Sequence, residues 1–326
     1  MATLDQPQVL TLVADDLARV EAKMRGAEDG MLPELAEAFL SLITSGGKRL
    51  RPALALMAAR FFPHTREQVI ALAAAVETLH TATLVHDDVI DNALIRRGSP
   101  TLNAVWTSGA TVLAGDYLFA RAAGFAAETG HVGVIKLFAR TLGIICEGEL
   151  RQLSALRRWD QPREAYYQRI YAKTASLFAA ATEGGALLGT SDGAAVDALR
   201  DYGHYLGMAF QIIDDILDFT STAAVLGKPA GSDLRQGTVT LPVFYYFQEL
   251  AEPAIVQRQL EEAWQSNGSL MTHLVRQIAQ SPAIDLATAE AASFVERAKA
   301  ALDALPDDAN RAALLELADT TLTRHR

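Results

Sequence analysis

The stretch TREQVIALAAAVETLHTATLVHDDVID, residues 65–91, decides how this chain folds. Its apolar residues recur at three and four: Val69, Leu72, Val76 and Leu79 share one face of a helix. Thr65-Arg66-Glu67-Gln68 ahead of them has the letters of a capping box, so a helix is predicted to begin there. Further along, Val76, His80, Thr83, Asp87 and Asp91 fall on one stripe that ends in carboxylates. Similar Ala/Leu-rich segments run outward in both directions. The chain has only 11 prolines, and Pro63, Pro100, Pro162, Pro229, Pro282 and Pro306 lie in or beside polar or glycine-containing gaps. Sustained period-two alternation is missing; Thr238 to Phe247 looks strand-like but is short and contains Pro242. The expectation is an all-α protein of ten or more helices, many apolar nearly all round and therefore buried in a large bundle. No solenoid-length repeat and no Gly/Ser or Pro-rich linker divides it, so residues 1–326 are read as a single domain. Thr220 to Gly237 is the most irregular long loop, a kind more often functional than idle in a compact bundle.

Composition narrows the function. Of 326 residues, 29 are Lys or Arg and 39 are Asp or Glu, a net charge of −10, while half are apolar and 21% charged. That supplies a core and excludes a disordered chain. It also argues against a nucleic-acid partner, which would need a basic face. A lone cysteine, Cys146, excludes an intramolecular disulfide and points to a reducing compartment. Met1 to Leu12 lacks the early positive charge of a secretory signal, and Asp15 and Asp16 follow soon after. The longest uncharged stretch, Gly98 to Gly115, is too rich in Gly, Ser, Thr, Asn and Pro for a membrane span. A soluble, cytoplasmic protein without a transmembrane segment is expected.

Two matching carboxylate clusters carry the chemistry: Asp87-Asp88-Val89-Ile90-Asp91 and Asp214-Asp215-Ile216-Leu217-Asp218. Residues four apart face the same way on a helix, so Asp87 with Asp91, and Asp214 with Asp218, put like charges side by side unless a cation sits between them. Oxygen-only ligands suit a hard ion such as Mg²⁺, which completes its shell with water and phosphate oxygens. Two solvated acidic faces are the plainer alternative; the apolar flanks and the duplication oppose it. Gly207, Gln211, Asp214 and Asp218 form a second stripe. If the two stripes face each other they enclose a cleft with acids at its mouth. Cations are close by in sequence: Lys48, Arg49 and Arg51 in GGKRLRP (46–52), Arg96 and Arg97 one turn after the first cluster, Lys173 in an Ala-rich segment, and Lys228. Beside a metal site arginines offer bidentate phosphate contacts and lysine a point charge.

In this order the motifs resemble the trans-isoprenyl diphosphate synthases, the polyprenyl synthetase family. The matching stretches are GGKRLRP at 46–52, LVHDDVIDNALIRRGSPT at 84–101, GDYLFA at 115–120, KTASLF at 173–178, FQIIDDILD at 210–218 and GKPAGSDL at 227–234. Related terpene cyclases usually carry a different second metal motif and have no isopentenyl pocket. A non-catalytic subunit of a heteromeric synthase would typically have lost acidic-motif residues, and none is missing here.

The resemblance implies an isoprenoid synthase fold, a helical bundle around a central cleft, and homodimerisation. It implies about three Mg²⁺ bound through Asp87, Asp91 and Asp214, with Asp88, Asp215 and Asp218 in support. Lys48, Arg51, His80 and Arg97 would receive isopentenyl diphosphate, and Arg96, Lys173 and Lys228 the allylic diphosphate. Thr174 and Gln211 would point oxygen dipoles at the allylic cation. Where family members often have a lysine after GSDL, this chain has Thr238, with Arg235 a possible substitute. Ala82 and Thr83, five and four residues before Asp87, are small where short-chain members carry aromatics, which implies a product longer than farnesyl and a resemblance to the medium- and long-chain synthases. The basic end Arg324-His325-Arg326 is read as a frayed tail in preference to a lid.

Overall fold

The structure, a computed structural model, describes residues 7–26, 32–44, 47–96, 98–221, 229–266 and 268–323. Gly46, Arg97, Lys228 and the Arg324-His325-Arg326 tail lie outside the described residues. The helices in chain order are α1 (Gln8–Leu12), α2 (Ala14–Arg25), α3 (Pro33–Thr44), α4 (Leu50–Ala59), α5 (Arg66–Ile90), α6 (Leu102–Val105), α7 (Ser108–Glu128), α8 (Val132–Ala155) and α9 (Arg163–Ile170). A π-helical turn, Tyr171–Ala175, leads into α10 (Ser176–Leu187), followed by α11 (Gly193–Thr220), α12 (Ser232–Gln236), α13 (Leu241–Gln248), α14 (Pro253–Ser266), α15 (Ser269–Ala279), α16 (Ala283–Ala301) and α17 (Ala309–Leu322). Among the described residues the strands are confined to a hairpin, β1 (Ile95–Arg96) against β2 (Ser99–Pro100), so the all-α expectation holds.

Two compact units emerge. One comprises Met1–Leu142, Leu177–Gly203 and Ala301–Leu317; the other comprises Gly143–Ser176, His204–Ala300 and Ala318–Arg326. In the first, α5 is the central element and packs on α2, α4 and α7. Its alanines, Ala71 and Ala73 to Ala75, are buried and leave no side chain to hold neighbours off. Helix α4 is buried at every residue from Pro52 to Ala59, which accounts for its unbroken apolar run. Helix α5 is also the one described helix long and apolar enough to cross a membrane, but its apolar surface is mostly buried within the protein.

The start of α5 differs from the capping-box expectation. Thr65 is its N-cap residue, but its side chain makes no capping hydrogen bond; the Gln68 N–H donates to the Thr65 carbonyl instead. Gln68, the residue that would complete the box, instead sends its side-chain Nε2 to the Thr129 carbonyl at 2.8 Å. The far end is better defined. Asn92 takes a left-handed conformation (φ +50°), and the Ala93 N–H returns to the Asp88 carbonyl at 2.9 Å, the 6→1 bond of a Schellman ending. That stop leaves Asp87 and Asp88 in the last turn of α5 and Asp91 at its C-cap.

In the second unit, one apolar cluster gathers Tyr166 of α9, Ile212 and Ile216 of α11, Leu241 of α13 and Ala287 and Ala291 of α16. A second forms around Trp264, Met271, Leu274 and Val275. The strand-like stretch 238–247 contains α13: Pro242 sits in its first turn, where a missing N–H costs nothing, and its side chains are apolar because both clusters surround them. The loop expected over 220–237 holds α12 in its C-terminal part.

Candidate active site

In the first unit the acids at the end of α5 are not equivalent. Asp87 is half-buried and Asp91 exposed, whereas Asp88 is buried. Asp88 accepts from Arg96 Nε at 2.8 Å, and its backbone carbonyl also accepts from Asn103 Nδ2 at 3.3 Å. Burial pushes the Asp88 carboxyl above its ordinary value even with Arg96 beside it. Arg96 sits in β1, six residues past the end of α5, before the chain turns at Gly98 (φ +79°) into β2. Three carboxylates at the negative end of a helix dipole are locally unfavourable, and Arg96 compensates one of them.

The three cations of GGKRLRP take different roles. Lys48 is exposed, and Arg51 is half-buried with its guanidinium carbon 4.9 Å from the centre of the Phe178 ring. Arg49 is structural. It holds a left-handed backbone conformation (φ +49°) at the N-cap of α4, and donates to Glu77 Oε1 at 2.7 Å, to Glu21 Oε1 at 3.0 Å and to the Ile43 carbonyl. Burial opposes its charge, but Glu77 and Glu21 hold the guanidinium above its ordinary value. Glu77, a lone acid within the apolar run of α5, is the signal that could have identified this anchor. His80 is half-buried on α5, one turn before Thr83, whose hydroxyl donates to the His80 carbonyl at 2.7 Å; Ala82 is wholly buried. His86, next to Asp87, lies 3.1 Å from the Val112 carbonyl through Nε2. A Cβ at Gly115 would come within 2.5 Å of that nitrogen, which explains why GDYLFA begins with glycine.

In the second unit, Asp214 is half-buried while Asp215 and Asp218 are buried on α11. Both carboxylate oxygens of Asp215 are engaged: Tyr166 OH donates to Oδ2 and Gln211 Nε2 to Oδ1, each at 2.9 Å. Burial, with Asp233 adding to it, pushes the Asp215 carboxyl up to about 7. Asp218 Oδ2 accepts the Asp233 N–H at 3.1 Å and its carbonyl accepts the Gly231 N–H at 2.8 Å, so this acid ties down the segment before α12. The π-helical turn presents Lys173 and Thr174, a distortion frequent at functional sites. Thr174 Oγ1 donates to Gln211 Oε1 at 2.6 Å, and Lys173 Nζ lies 2.9 Å from Glu149 Oε1. Glu149 was not legible as a site residue; its neighbour Gly148 was the cue, since a Cβ there would stand 2.3 Å from that of Ala172. Arg235 turns to the Ala230 carbonyl and Thr272 Oγ1, both at 3.1 Å, and the Thr238 N–H donates to the Asp233 carbonyl.

The acids thus sort into reachable ones (Asp87, Asp91, Asp214) and supporting ones (Asp88, Asp215, Asp218). Among the described residues no three His, Cys, Asp or Glu side chains form a ready-made metal cage. Carboxylate oxygens without a closed cage fit magnesium, which takes one or two carboxylates and leaves positions for water and phosphate oxygens.

Comparison with known proteins places the chain in a family. The polyprenyl synthetase family model matches residues 32–279. Component 2 of heptaprenyl diphosphate synthase from Geobacillus stearothermophilus is 42% identical over 308 residues, 94% of this chain and 95% of that protein. Octaprenyl diphosphate synthase from Escherichia coli (strain K12) is 34% identical over 316 residues, covering 97% of this chain and 98% of its own. Among solved structures, the polyprenyl synthase of Caulobacter crescentus CB15, complexed with calcium and isoprenyl diphosphate, superposes with a TM-score of 0.90 at 37% identity, covering 97% of each chain. The chain belongs to the polyprenyl synthetase family. It is an enzyme, a trans-prenyltransferase of the prenyl diphosphate synthase type.

Proposed function

We propose that the enzyme condenses isopentenyl diphosphate with an allylic diphosphate, head-to-tail and in trans, to a prenyl diphosphate longer than farnesyl. The observation that carries this reading is the difference in burial among the six acids: Asp87, Asp91 and Asp214 are half-buried or exposed, whereas Asp88, Asp215 and Asp218 are buried. Asp87, Asp91 and Asp214 would hold Mg²⁺, about three ions by family resemblance, which supplies Lewis-acid activation of the diphosphate leaving group. Lys48, Arg51, His80 and Arg97 receive isopentenyl diphosphate, and Arg96, Lys173 and Lys228 the allylic diphosphate. The allylic C–O bond ionises, Thr174 and Gln211 face the resulting cation with oxygen dipoles, and the isopentenyl π-bond attacks it. Loss of a proton to the released diphosphate restores a double bond. Asp88, Asp215 and Asp218 orient these groups from beneath.

Product length is read from the stripe below Asp87. A narrow apolar cavity lies further down α5, lined by Leu72, Val76 and Leu79 with Ala126, Phe138 and Leu177 among its other walls. Thr83 is one turn nearer the acids on the same stripe. Of the two chain-length positions, Thr83 is the better probe, because Ala82 is wholly buried and a larger side chain there would overpack the helix interface. Purified protein incubated with Mg²⁺, isopentenyl diphosphate and an allylic starter is expected to yield prenyl diphosphates beyond C15, and Thr83→Phe to shorten them. Failure to elongate any starter would refute the reading.

A second reading, a subunit of a heteromeric synthase, is favoured by one observation: the Geobacillus relative is named as a component of its synthase. Elongation only after addition of a partner chain would select it over a homodimer. Homodimerisation is supported by exposed apolar side chains on neighbouring helices, Leu113 of α7 and Val132 and Ile135 of α8; sedimentation of the pure chain tests it. Residues 1–326 are read as a single catalytic domain, supported by relatives that match 94–97% of the chain. A cytoplasmic location is inferred from the lone cysteine, which points to a reducing compartment.

A further inference from the structure

The second unit contains a buried hydroxyl that neither packing nor substrate binding requires. Tyr166 of α9 is completely buried. Its ring packs against Tyr167 and Phe244, with the Arg169 guanidinium over it, and a phenylalanine ring would serve that packing equally well. The hydroxyl is needed for something else: it is one end of a chain that runs Tyr166, Asp215, Gln211, Thr174.

The direction of the donors along this chain is what matters. Tyr166 has one hydroxyl hydrogen and gives it to Asp215 Oδ2. Both Asp215 oxygens act as acceptors, Oδ2 from Tyr166 and Oδ1 from Gln211 Nε2, so Gln211 turns its NH₂ toward the carboxyl group. In a primary amide the donor and acceptor ends are fixed relative to each other, so the Gln211 carbonyl turns to Thr174. The Thr174 hydrogen is then spent on that carbonyl. What Thr174 offers any other neighbour is its oxygen lone pairs. Release of the Asp215 carboxylate from Tyr166 would let it rotate, free Gln211 to flip, and reverse the polarity at Thr174.

We propose that Tyr166 is a positioning residue for prenyl transfer: its hydroxyl fixes Asp215, and through Gln211 makes Thr174 present lone pairs, not a hydrogen, to the allylic cation. This rests on the reading of Thr174 and Gln211 as the groups that face that cation. A dipole preset in this direction needs no reorganisation when positive charge develops, which is where electrostatic catalysis has most effect. Aspartate is suited to the central position because it accepts at both oxygens; asparagine would introduce a donor and allow the opposite arrangement.

The test is a kinetic double-mutant cycle on the full chain with Mg²⁺, isopentenyl diphosphate and an allylic starter. Tyr166→Phe is expected to lower kcat by about tenfold or more, as loss of an orienting partner does elsewhere, with the KM for isopentenyl diphosphate within about twofold. In a Thr174→Val background, where no hydroxyl remains to orient, Tyr166→Phe is expected to change kcat by less than about twofold. Should Tyr166→Phe not fold, Asp215→Asn is carried through the same cycle with the same expectation. A readout without turnover is the Gln211 side-chain amide signal in metal-free, ¹⁵N-glutamine-labelled protein, identified by its loss in Gln211→Met and expected to shift with Tyr166→Phe. Wild-type kcat in Tyr166→Phe, an equal loss in both backgrounds, or an unmoved amide signal each overturns the inference. A wild-type chain that elongates no starter instead overturns the proposed function, and this inference with it.

Discussion

The two acidic motifs share the letters DDxxD but are supported differently. In the first, the three acids crowd the C-terminal end of α5, where the helix dipole opposes them, and the support is a cation: Arg96, carried on β1, on Asp88. In the second, the support is neutral. Asp215 is held by a phenol and an amide, and Asp218 by a backbone N–H. Cationic support tolerates exposure because the pair stays partly solvated. Neutral donors leave the Asp215 carboxyl deep in an apolar cluster, where burial raises it even though Arg169 acts in the opposite direction.

The comparison can be broken most easily at the reachable acids. Asp87→Ala and Asp214→Ala are each expected to lower kcat by about 10³-fold, the scale of losing a metal-held electrostatic contact, without lowering the melting temperature of the metal-free protein. A large loss of stability in either would mean that the acid is structural. Next in size is Arg49→Ala. It leaves Glu77 buried without its partner and is expected to cost about 3 kcal/mol by denaturant unfolding. Arg96→Gln, which removes the cationic support of a half-exposed pair, is expected to cost less, about 1 kcal/mol.

A pH series separates the two kinds of support. Because the folded-state value of Asp215 is raised above its unfolded one, the folded state binds the extra proton between about pH 4 and 7. Its contribution to stability is present in full below about pH 4 and is lost as pH rises through about 7. Thermal melts in EDTA should therefore show wild type losing ground to Asp215→Asn as pH rises from 5 to 8; parallel curves would refute the assignment. The smallest expected effect is at the other end of α5. Thr65→Ala should cost under about 0.5 kcal/mol, because the capping hydrogen bond that normally gives threonine its value there is not made.

Much of this was legible in the sequence, for a local reason. Periodicity reports what a helix must bury, so the Val69–Leu79 stripe and the unbroken apolar run of α4 announced helices before any contact was known. Spacing of four reports a shared face, so the paired acids stood out from their letters as candidate metal ligands. Residue type alone restricted the ion to a hard one. The capping box misled because Thr65 and Gln68 have the right letters, but the Thr65 side chain makes no cap and Gln68 turns to the Thr129 carbonyl, and partners are not written in a local pattern. The stretch 238–247 misled because a helix apolar all round has no period to read.

Tertiary structure decided which residue of each cluster does what. Arg49 and Lys48 are neighbours in one motif, but only Arg49 meets Glu77 and Glu21, from α5 and α2, and becomes an anchor. Asp214 and Asp215 are adjacent, but one is reachable and the other holds Tyr166 and Gln211. The sequence determined the fold class, the family and the chemical types of donor, because those depend on composition and on spacing within one helix. It could not determine which carboxylates are buried and which stay accessible, or which way Thr174 points its hydrogen. Those depend on which distant group arrives to satisfy each carboxylate, and only packing brings such groups together.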